Sequence, residues 1–175
     1  MSGEENVLAK YDTNGVYQDA LKIEEGGMID RITGSQKDEI VILSFASFYQ
    51  ATNFYSLNLS TFKTEKTSVT SVNFNSKKFT TKKVNFYSKD STIIPMYLTY
   101  KKNLDLTENN PTLLYGYGGF GISSTPFIDL TYVAFMDKGG ILAVPQIRGG
   151  GDFPGWHEQG KRHNKQNTID DFIAA

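Results

Sequence analysis

The distribution of proline and glycine divides this chain of 175 residues near residue 80. All five prolines lie beyond residue 94, and eleven of the sixteen glycines lie in the last sixty residues. Proline lacks a backbone donor and glycine permits unusual backbone angles, so their positions limit where strands and helices can run. The sequence therefore predicts two structural regions, one over residues 1–75 and one over residues 76–175.

The first region has the pattern of short strands joined by polar turns. Residues 40–45, IVILSF, predict a buried strand. Alternation in residues 54–59 places Leu57 and Leu59 on one face, and the turn at 60–63 predicts a hairpin. Successive strands of this kind indicate an antiparallel sandwich, barrel or propeller. About 75 residues are too few to close any of these, so we expect the end of a larger β domain.

The second region combines strands with longer connections. Strands are predicted at residues 84–87, 93–100, 112–115 and 141–144. The segment 129–138 before the last of them is either helical or irregular. Because crossover-sized segments separate some of these strands, the pattern predicts a mostly parallel α/β sheet.

The last eight residues have the pattern of a helix that begins close to the end of the chain. The TIDD sequence at 168–171 fits a capping box with acidic residues in the first turn. Ile169, Phe172 and Ile173 would form its apolar face. A helix of about two turns is marginal alone, because about 12–15 residues are usually needed. We therefore expect the chain to be a piece of a longer protein.

The overall charge and composition exclude several functional classes. The formal net charge is −1, which provides no basic face for nucleic acid or an anionic membrane. There is no cysteine for a disulfide or a thiolate zinc site, and no apolar run of about 18 residues. The first five residues are polar and acidic, unlike a secretory signal. A cytoplasmic location is favoured, with the periplasm and secretion left open.

Two glycine-rich loops follow predicted strands. GYGGFG at 116–121 matches a dinucleotide fingerprint in its letters, but the ISSTP sequence after it predicts a loop where that motif needs a helix. Its glycines either let a ligand approach the backbone or simply permit a turn. RGGGD at 148–152 is no P-loop, because no Gly-Lys-Ser/Thr follows. We expect the two loops to form one pocket rim.

The histidines and serines offer no catalytic or metal constellation. His157 and His163 are the only histidines, and neither has the spacing of metal ligands. Trp156 and His157 are expected to be packed and hydrogen-bonded, and His163 to be exposed. No G-x-S-x-G sequence occurs, so a Ser–His–Asp triad cannot be assembled from these residues. No metal or cofactor is predicted.

The order of several motifs resembles the prolyl oligopeptidase family. The resemblance is strong over residues 79–175 and looser, but continuous, before them. Its motifs are LYGYGGF at 114–120, GGILAV at 139–144, IRGGGD at 147–152, WH at 156–157, NKQN at 164–167 and DDF at 170–172.

The resemblance implies both a fold and an activity. Members are serine peptidases with an α/β-hydrolase domain capped by a seven-bladed β-propeller. Residues 1–75 would be the last blades, and residues 76–175 the incomplete first part of the hydrolase sheet. The family's catalytic serine, aspartate and histidine come later in the chain. The whole protein would be a monomer that cleaves short peptides after proline through an acyl-enzyme, and this chain alone would be inactive.

The resemblance also implies roles for individual residues. Tyr117 matches the family's tyrosine whose hydroxyl completes the oxyanion hole, and Phe120 matches an aromatic that lines the substrate pocket. Arg148 would be structural and shape the pocket floor. Two features depart from the family pattern: Asp152 stands where glutamate is usual, and the segment 153–155 is about one residue shorter.

Three alternatives remain at this stage. The first is the related oligopeptidase that cleaves after Arg or Lys, although its first loop tends to read Tyr-Gly-Ser-Tyr where this chain has YGGF at 117–120. The second is a non-catalytic β-rich binding module. The third is an unrelated α/β hydrolase, such as an esterase, that shares only the oxyanion loop. A nucleophile elbow further along the chain would separate the peptidase from the binding module.

Overall fold

The protein folds into two compact units. This computed structural model describes residues 7–22, 27–35, 37–69, 74–107 and 109–175. The first unit comprises Met1–Ser76 with Pro126–Asp129, and the second comprises Lys77–Thr125 with Leu130–Ala175.

The first unit is built from antiparallel strands. They are β1 (Val7–Tyr11), β2 (Tyr17–Lys22), β3 (Gly27–Thr33), β4 (Ile40–Ser47), β5 (Asn53–Asn58) and β6 (Lys63–Val69). β1 and β2 form a two-stranded pair, and the other four form a sheet in the order β3-β4-β5-β6. The predicted hairpin is confirmed, because β5 pairs antiparallel with β6 across the turn at 59–62.

The core of this unit lies on one face of its four-stranded sheet. Val41, Leu43, Leu57 and Phe62 form a buried cluster. The partly buried side chains packed against this cluster are Leu8, Leu21, Ile29, Tyr55 and Leu59. The strand predicted at 40–45 is therefore correct, but it is not buried throughout, because Ile42 is exposed on the opposite face. An antiparallel sheet can leave one face open, which produces this alternation.

The second unit contains one sheet and three α-helices among its described residues. Its strands are β7 (Phe79–Tyr87), β8 (Ile93–Lys101), β9 (Thr112–Leu114) and β10 (Ile141–Pro145). Its helices are α1 (Leu130–Asp137), α2 (Trp156–Gln159) and α3 (Lys165–Ala174). The strand order is β7-β8-β10-β9. Of the described helices, none is long and apolar enough to cross a membrane.

The prediction of a mostly parallel sheet is wrong for the described part of this unit. β7 pairs antiparallel with β8, and β8 pairs antiparallel with β10, while β9 and β10 are parallel. A tight turn joins β7 to β8, in which the Ser88 N–H donates to the Thr92 carbonyl at 2.9 Å. A connection this short permits only antiparallel pairing, whereas the parallel β9 and β10 are joined through α1.

The interior of the second unit is formed by β8, β10 and α1. All five residues of β10 are buried, and Ile94 of β8 and Met136 of α1 are fully enclosed. The segment that the sequence left as helical or irregular is thus a largely apolar helix that packs on the sheet with Val133 and Met136 buried. A strand buried on both faces reads as a continuous apolar run, which explains why β10 was readily recognised in the sequence.

The predicted helix at the end of the chain is present, but it starts earlier than expected. α3 begins at Lys165, three residues before Thr168. Thr168 and Asp171 are buried in its interior, and the Thr168 hydroxyl donates to the Gly160 carbonyl at 3.1 Å. The capping-box interpretation is therefore wrong. Both polar side chains have tertiary partners, which the local pattern could not reveal.

Candidate functional site

The two glycine-rich loops lie directly against each other in the second unit. The Gly121 N–H donates to the Gly149 carbonyl at 3.1 Å. A Cβ atom at Gly149 would lie 2.3 Å from the Gly118 oxygen, and one at Gly151 would lie 2.1 Å from the Gly121 oxygen. The two backbones thus approach so closely that no side chain fits between them. The two loops therefore meet, and the pocket rim that they were expected to form stays a prediction.

This close approach predicts a specific cost for adding one methyl group. Gly149 and Gly139 have similar backbone angles, with φ of +95° and +94°, but no described atom lies within 4 Å of a Cβ at Gly139. We expect Gly139→Ala to lower the free energy of unfolding by about 1 kcal/mol through backbone strain alone. Gly149→Ala adds a clash with the neighbouring loop and should cost about 2–4 kcal/mol.

Urea unfolding of the two variants measures this difference. If both variants were destabilised equally, the backbone angle alone would account for the glycine at position 149. The close contact between the two loops would then make no measurable contribution to the free energy of unfolding.

The middle of the first loop is held by α3 and the strand end before Arg148. Gly118 is buried with φ of +57°, and a Cβ there would lie 2.4 Å from Thr168 Cγ2 and 2.7 Å from Ile147 Cγ1. The Lys165 ammonium donates to the Gly118 carbonyl oxygen. The loop is therefore fixed from two sides at the residue that follows Tyr117.

The aromatic side chains of this loop are presented to the outside of the unit. Tyr117 is 51% exposed and Phe120 is 85% exposed. Their rings stack with centroids 6.4 Å apart and planes 30° apart. Phe120 has φ of +55°, a left-handed conformation that costs a non-glycine residue on the order of 1–3 kcal/mol. The loop thus has a fixed backbone and exposes a phenol side chain and an apolar ring, which suits the binding of a partly polar ligand.

A buried guanidinium lies behind the second loop. Arg148 is only 3% exposed, and Asp171 of α3 is completely buried. Arg148 Nε lies 2.9 Å from Asp171 Oδ2 and Arg148 Nη2 lies 2.6 Å from Asp171 Oδ1, which is a bidentate pair. The Arg148 backbone N–H also donates to Asp171 Oδ2 at 2.9 Å. One carboxylate thereby orients both the side chain and the main chain of Arg148.

Two residues of the β7–β8 turn complete this cluster. Arg148 Nη1 lies 2.6 Å from Asp90 Oδ2, and the Ser88 hydroxyl donates to Asp171 Oδ1 at 2.5 Å. The hydrogen bond from Arg148 holds the pKa of the Asp90 carboxyl well below its ordinary value. The bond with Asp171 raises the pKa of Arg148, so the guanidinium stays charged. We call these four residues the Arg148 cluster, and it ties together the β7–β8 turn, the second loop and α3.

Asp152, which departs from the family pattern, has a defined place in the structure. Its Oδ1 atom accepts from the Ser124 N–H at 2.8 Å and from Gln146 Nε2 at 3.0 Å. It therefore joins the segment after the first loop to the end of β10. Burial, together with the negative charge of Asp152, raises the pKa of Tyr97.

The Trp156 and His157 side chains are both hydrogen-bonded, as expected, but to the main chain. Trp156 Nε1 donates to the Gln146 carbonyl at 2.9 Å, and His157 Nδ1 lies 3.1 Å from the Gly149 oxygen. His163 is exposed, as predicted. Both residues of the pair thus support the second loop.

The Arg148 cluster and the Lys165 bond are the features that sequence reasoning missed. From the sequence, Asp171 was interpreted as part of a cap, and its contact with Arg148 was not predicted. Thr168 and Asp171 are spaced i, i+3 beside Phe172, so they lie on one face of a helix, and that spacing could have indicated a buried polar contact. Within the described ranges, no group of three His, Asp or Glu side chains is arranged to hold a metal ion.

The amino-acid sequence of this chain is similar to known peptidases. The model of the prolyl oligopeptidase family matches residues 127–175. A prolyl endopeptidase from Elizabethkingia meningoseptica is 36% identical over 169 residues, which cover 96% of this chain and 24% of that protein. The chain therefore spans about a quarter of the length of such relatives.

Solved structures agree with the sequence comparison. A structure from a study of two prolyl endopeptidases superposes with a TM-score of 0.85 at 32% identity, covering 93% of this chain and 24% of the other. Oligopeptidase B from Leishmania major superposes with a TM-score of 0.78 at 26% identity, covering 95% of this chain and 25% of the other. The resemblance seen in the motifs is confirmed: the chain is similar, along almost its whole length, to a segment of proteins of the prolyl oligopeptidase family.

Proposed function

We propose that the chain is part of a serine endopeptidase that cleaves short peptides after proline through an acyl-enzyme. The observation that carries this proposal is the half-exposed Tyr117 side chain on a loop whose backbone is fixed by Gly149 and Lys165. Such a donor suits the negative charge that develops on a carbonyl oxygen during acyl transfer. The names of the relatives, prolyl endopeptidases, support the substrate class.

Tyr117 would act on the tetrahedral intermediate. When a serine oxygen attacks the scissile carbonyl, the carbonyl oxygen becomes an oxyanion, and a phenol hydroxyl donates a hydrogen bond to it. A backbone N–H beside the nucleophile would supply the second donor. Because Tyr117 is held before the substrate arrives, it pays no reorganisation cost when the charge forms.

Phe120 would contact the substrate on the acyl side of the cleaved bond. Its ring is almost fully exposed and stacks on Tyr117, so it offers an apolar face next to the proposed oxyanion site. A proline ring is apolar and rigid, which suits an aromatic surface. Arg148, being buried, would support the floor of the pocket without touching the substrate.

The two units would belong to different domains of the whole protein. We propose that residues 1–75 are the last blades of a β-propeller, which fits a four-stranded antiparallel sheet in consecutive order. Residues 76–175 would begin an α/β-hydrolase domain whose remaining strands extend the mixed sheet. The whole enzyme would act as a monomer.

Specificity for proline is tested with matched chromogenic peptides. We expect the full-length enzyme to cleave a Gly-Pro substrate at least tenfold more efficiently, by kcat/KM, than the same substrate with Arg in place of Pro. The 175-residue chain, which contains no G-x-S-x-G sequence, serves as the negative control and should cleave neither. Preference for Arg would favour the alternative oligopeptidase, and turnover by the control chain would contradict the assignment of the nucleophile.

A further inference from the structure

We propose that Lys165 is a positioning residue for Tyr117, an inference that rests on the proposed function. The Lys165 ammonium donates to the carbonyl oxygen of Gly118, the residue that follows Tyr117. The bond spans 47 positions of the chain and joins α3 to the first loop. Lys165 would thereby hold the main chain that carries the oxyanion donor, without touching the substrate.

The Gly118 carbonyl requires a partner because of where it lies. Gly118 is buried, and the Gly149 backbone packs against the Gly118 oxygen so closely that a Cβ on Gly149 would lie 2.3 Å from it. A buried carbonyl without a donor costs free energy comparable to a lost hydrogen bond. Lys165 supplies a charged donor, which makes a stronger bond than a neutral one. Removing the ammonium would favour rotation of this peptide toward water.

The place of Lys165 in its own helix also points to a role outside the helix. It is the first residue of α3, and the first turn of α3 contains no acidic residue. A cation is unfavourable there, because the N-terminus of a helix carries partial positive charge. The Asn164 side chain makes no capping bond that would compensate. A residue that is unfavourable for its own helix is expected at a position that serves function. Here the hydrogen bond to the Gly118 carbonyl offsets the unfavourable charge at the N-terminus of α3.

Loss of the Lys165 bond would alter the position of Tyr117 through the backbone at Gly118. The left-handed angle of Gly118, φ +57°, turns its carbonyl toward α3. If that peptide rotates, the Tyr117 hydroxyl shifts relative to the reacting carbonyl. A displacement of about 1 Å can lower a rate by about 10²-fold, because preorganisation is lost. Substrate binding would change much less, since Lys165 would act through the Gly118 carbonyl and not on the substrate.

Three substitutions in the full-length enzyme test this role. Lys165→Met removes the donor but keeps the apolar stem, and should lower kcat by about 10- to 100-fold with KM changed less than about twofold. Lys165→Arg keeps a charged donor and should recover most of the loss. Lys161→Met is the matched control: this neighbouring lysine pairs with the exposed Glu158 at the surface, and its loss should leave kcat unchanged. Melting temperatures establish that each variant is folded.

A double substitution separates positioning from general support of the fold. In a Tyr117→Phe background, Lys165→Met should lower kcat less than twofold, because the group that it positions is already absent. An equal loss in both backgrounds would overturn the proposal. A loss with Tyr117→Phe and none with Lys165→Met would overturn it while leaving the proposed function intact. If Tyr117→Phe itself had no effect, the proposed oxyanion role and the positioning role would both be wrong. Should Lys165→Met fail to fold, Lys165→Gln, which removes the charge and ends one bond short of the ammonium position, tests the loss of the charged donor.

Discussion

Replacing Tyr117 by Phe in the full-length enzyme should lower kcat by about 10²–10³-fold, which is the effect of removing one oxyanion donor. The change deletes a single oxygen atom from a side chain that is 51% exposed, so the fold should be unaffected. The ring remains and can still stack on Phe120. The expected loss therefore falls on the chemical step.

The kinetic constants distinguish this role from a role in substrate binding. An interaction made only in the transition state lowers kcat and kcat/KM equally, whereas lost ground-state binding raises KM. We expect the first pattern for Tyr117→Phe, measured with a Gly-Pro chromogenic peptide. Phe120→Ala should show the second pattern, with a higher KM, because it would remove an apolar surface for the substrate.

Tyr87→Phe is the matched control for this experiment. Tyr87 is also exposed, at 70%, and ends β7 in the same unit. Loss of its hydroxyl should leave kcat and KM unchanged. An unchanged kcat for Tyr117→Phe would remove Tyr117 from the mechanism. A comparable loss for Tyr87→Phe would point to a general effect of removing surface hydroxyls.

The largest expected effect on stability comes from Arg148→Met. The substitution would leave the carboxylate of Asp171 fully buried without its cation, and such a change typically costs about 3–5 kcal/mol. Asp90 is half-exposed and can turn to water, so its loss of a partner should contribute little. Urea denaturation of the full-length enzyme should show this decrease in the free energy of unfolding.

Two further variants test whether the unpaired, buried Asp171 carboxylate causes this loss of stability. Combining Arg148→Met with Asp171→Leu removes both buried charges and should recover part of the loss, because a buried ion pair can often be replaced by apolar groups. Recovery should be incomplete, since Asp171 also accepts from the Arg148 backbone N–H. Lys101→Met breaks an ion pair of similar length, 2.9 Å, but at the surface, and should scarcely change the unfolding midpoint. If Arg148→Met were as mild as Lys101→Met, the Arg148 cluster would not stabilise the fold.

Much of the secondary structure could be predicted because its signals are local. The alternation in residues 54–59 placed Leu57 on the buried face of a hairpin, and the apolar run at 141–144 identified β10. The glycine loops were recognised from their position after strands. The family motifs then linked Tyr117 and Phe120 to one loop, and the structure presents both rings side by side.

The strand directions and the polar contacts depended on distant parts of the chain. The sheet is mixed because β8, formed in a hairpin with β7, also pairs with β10 about fifty residues later. Asp171 was given a capping role from its neighbours in sequence, whereas its partner, Arg148, lies 23 residues away. Local patterns carry no information on such pairings, because they depend on which surfaces meet after folding.

The sequence by itself determined the periodic elements and the resemblance to the family, since these depend on local spacing and on motif order. Only the tertiary structure decided how closely the backbones of the two glycine loops approach, that Arg148 is buried against Asp171, and that Lys165 reaches the Gly118 carbonyl. The physical reason is that buried polar groups must find partners wherever the fold brings them, and those partners are set by three-dimensional proximity.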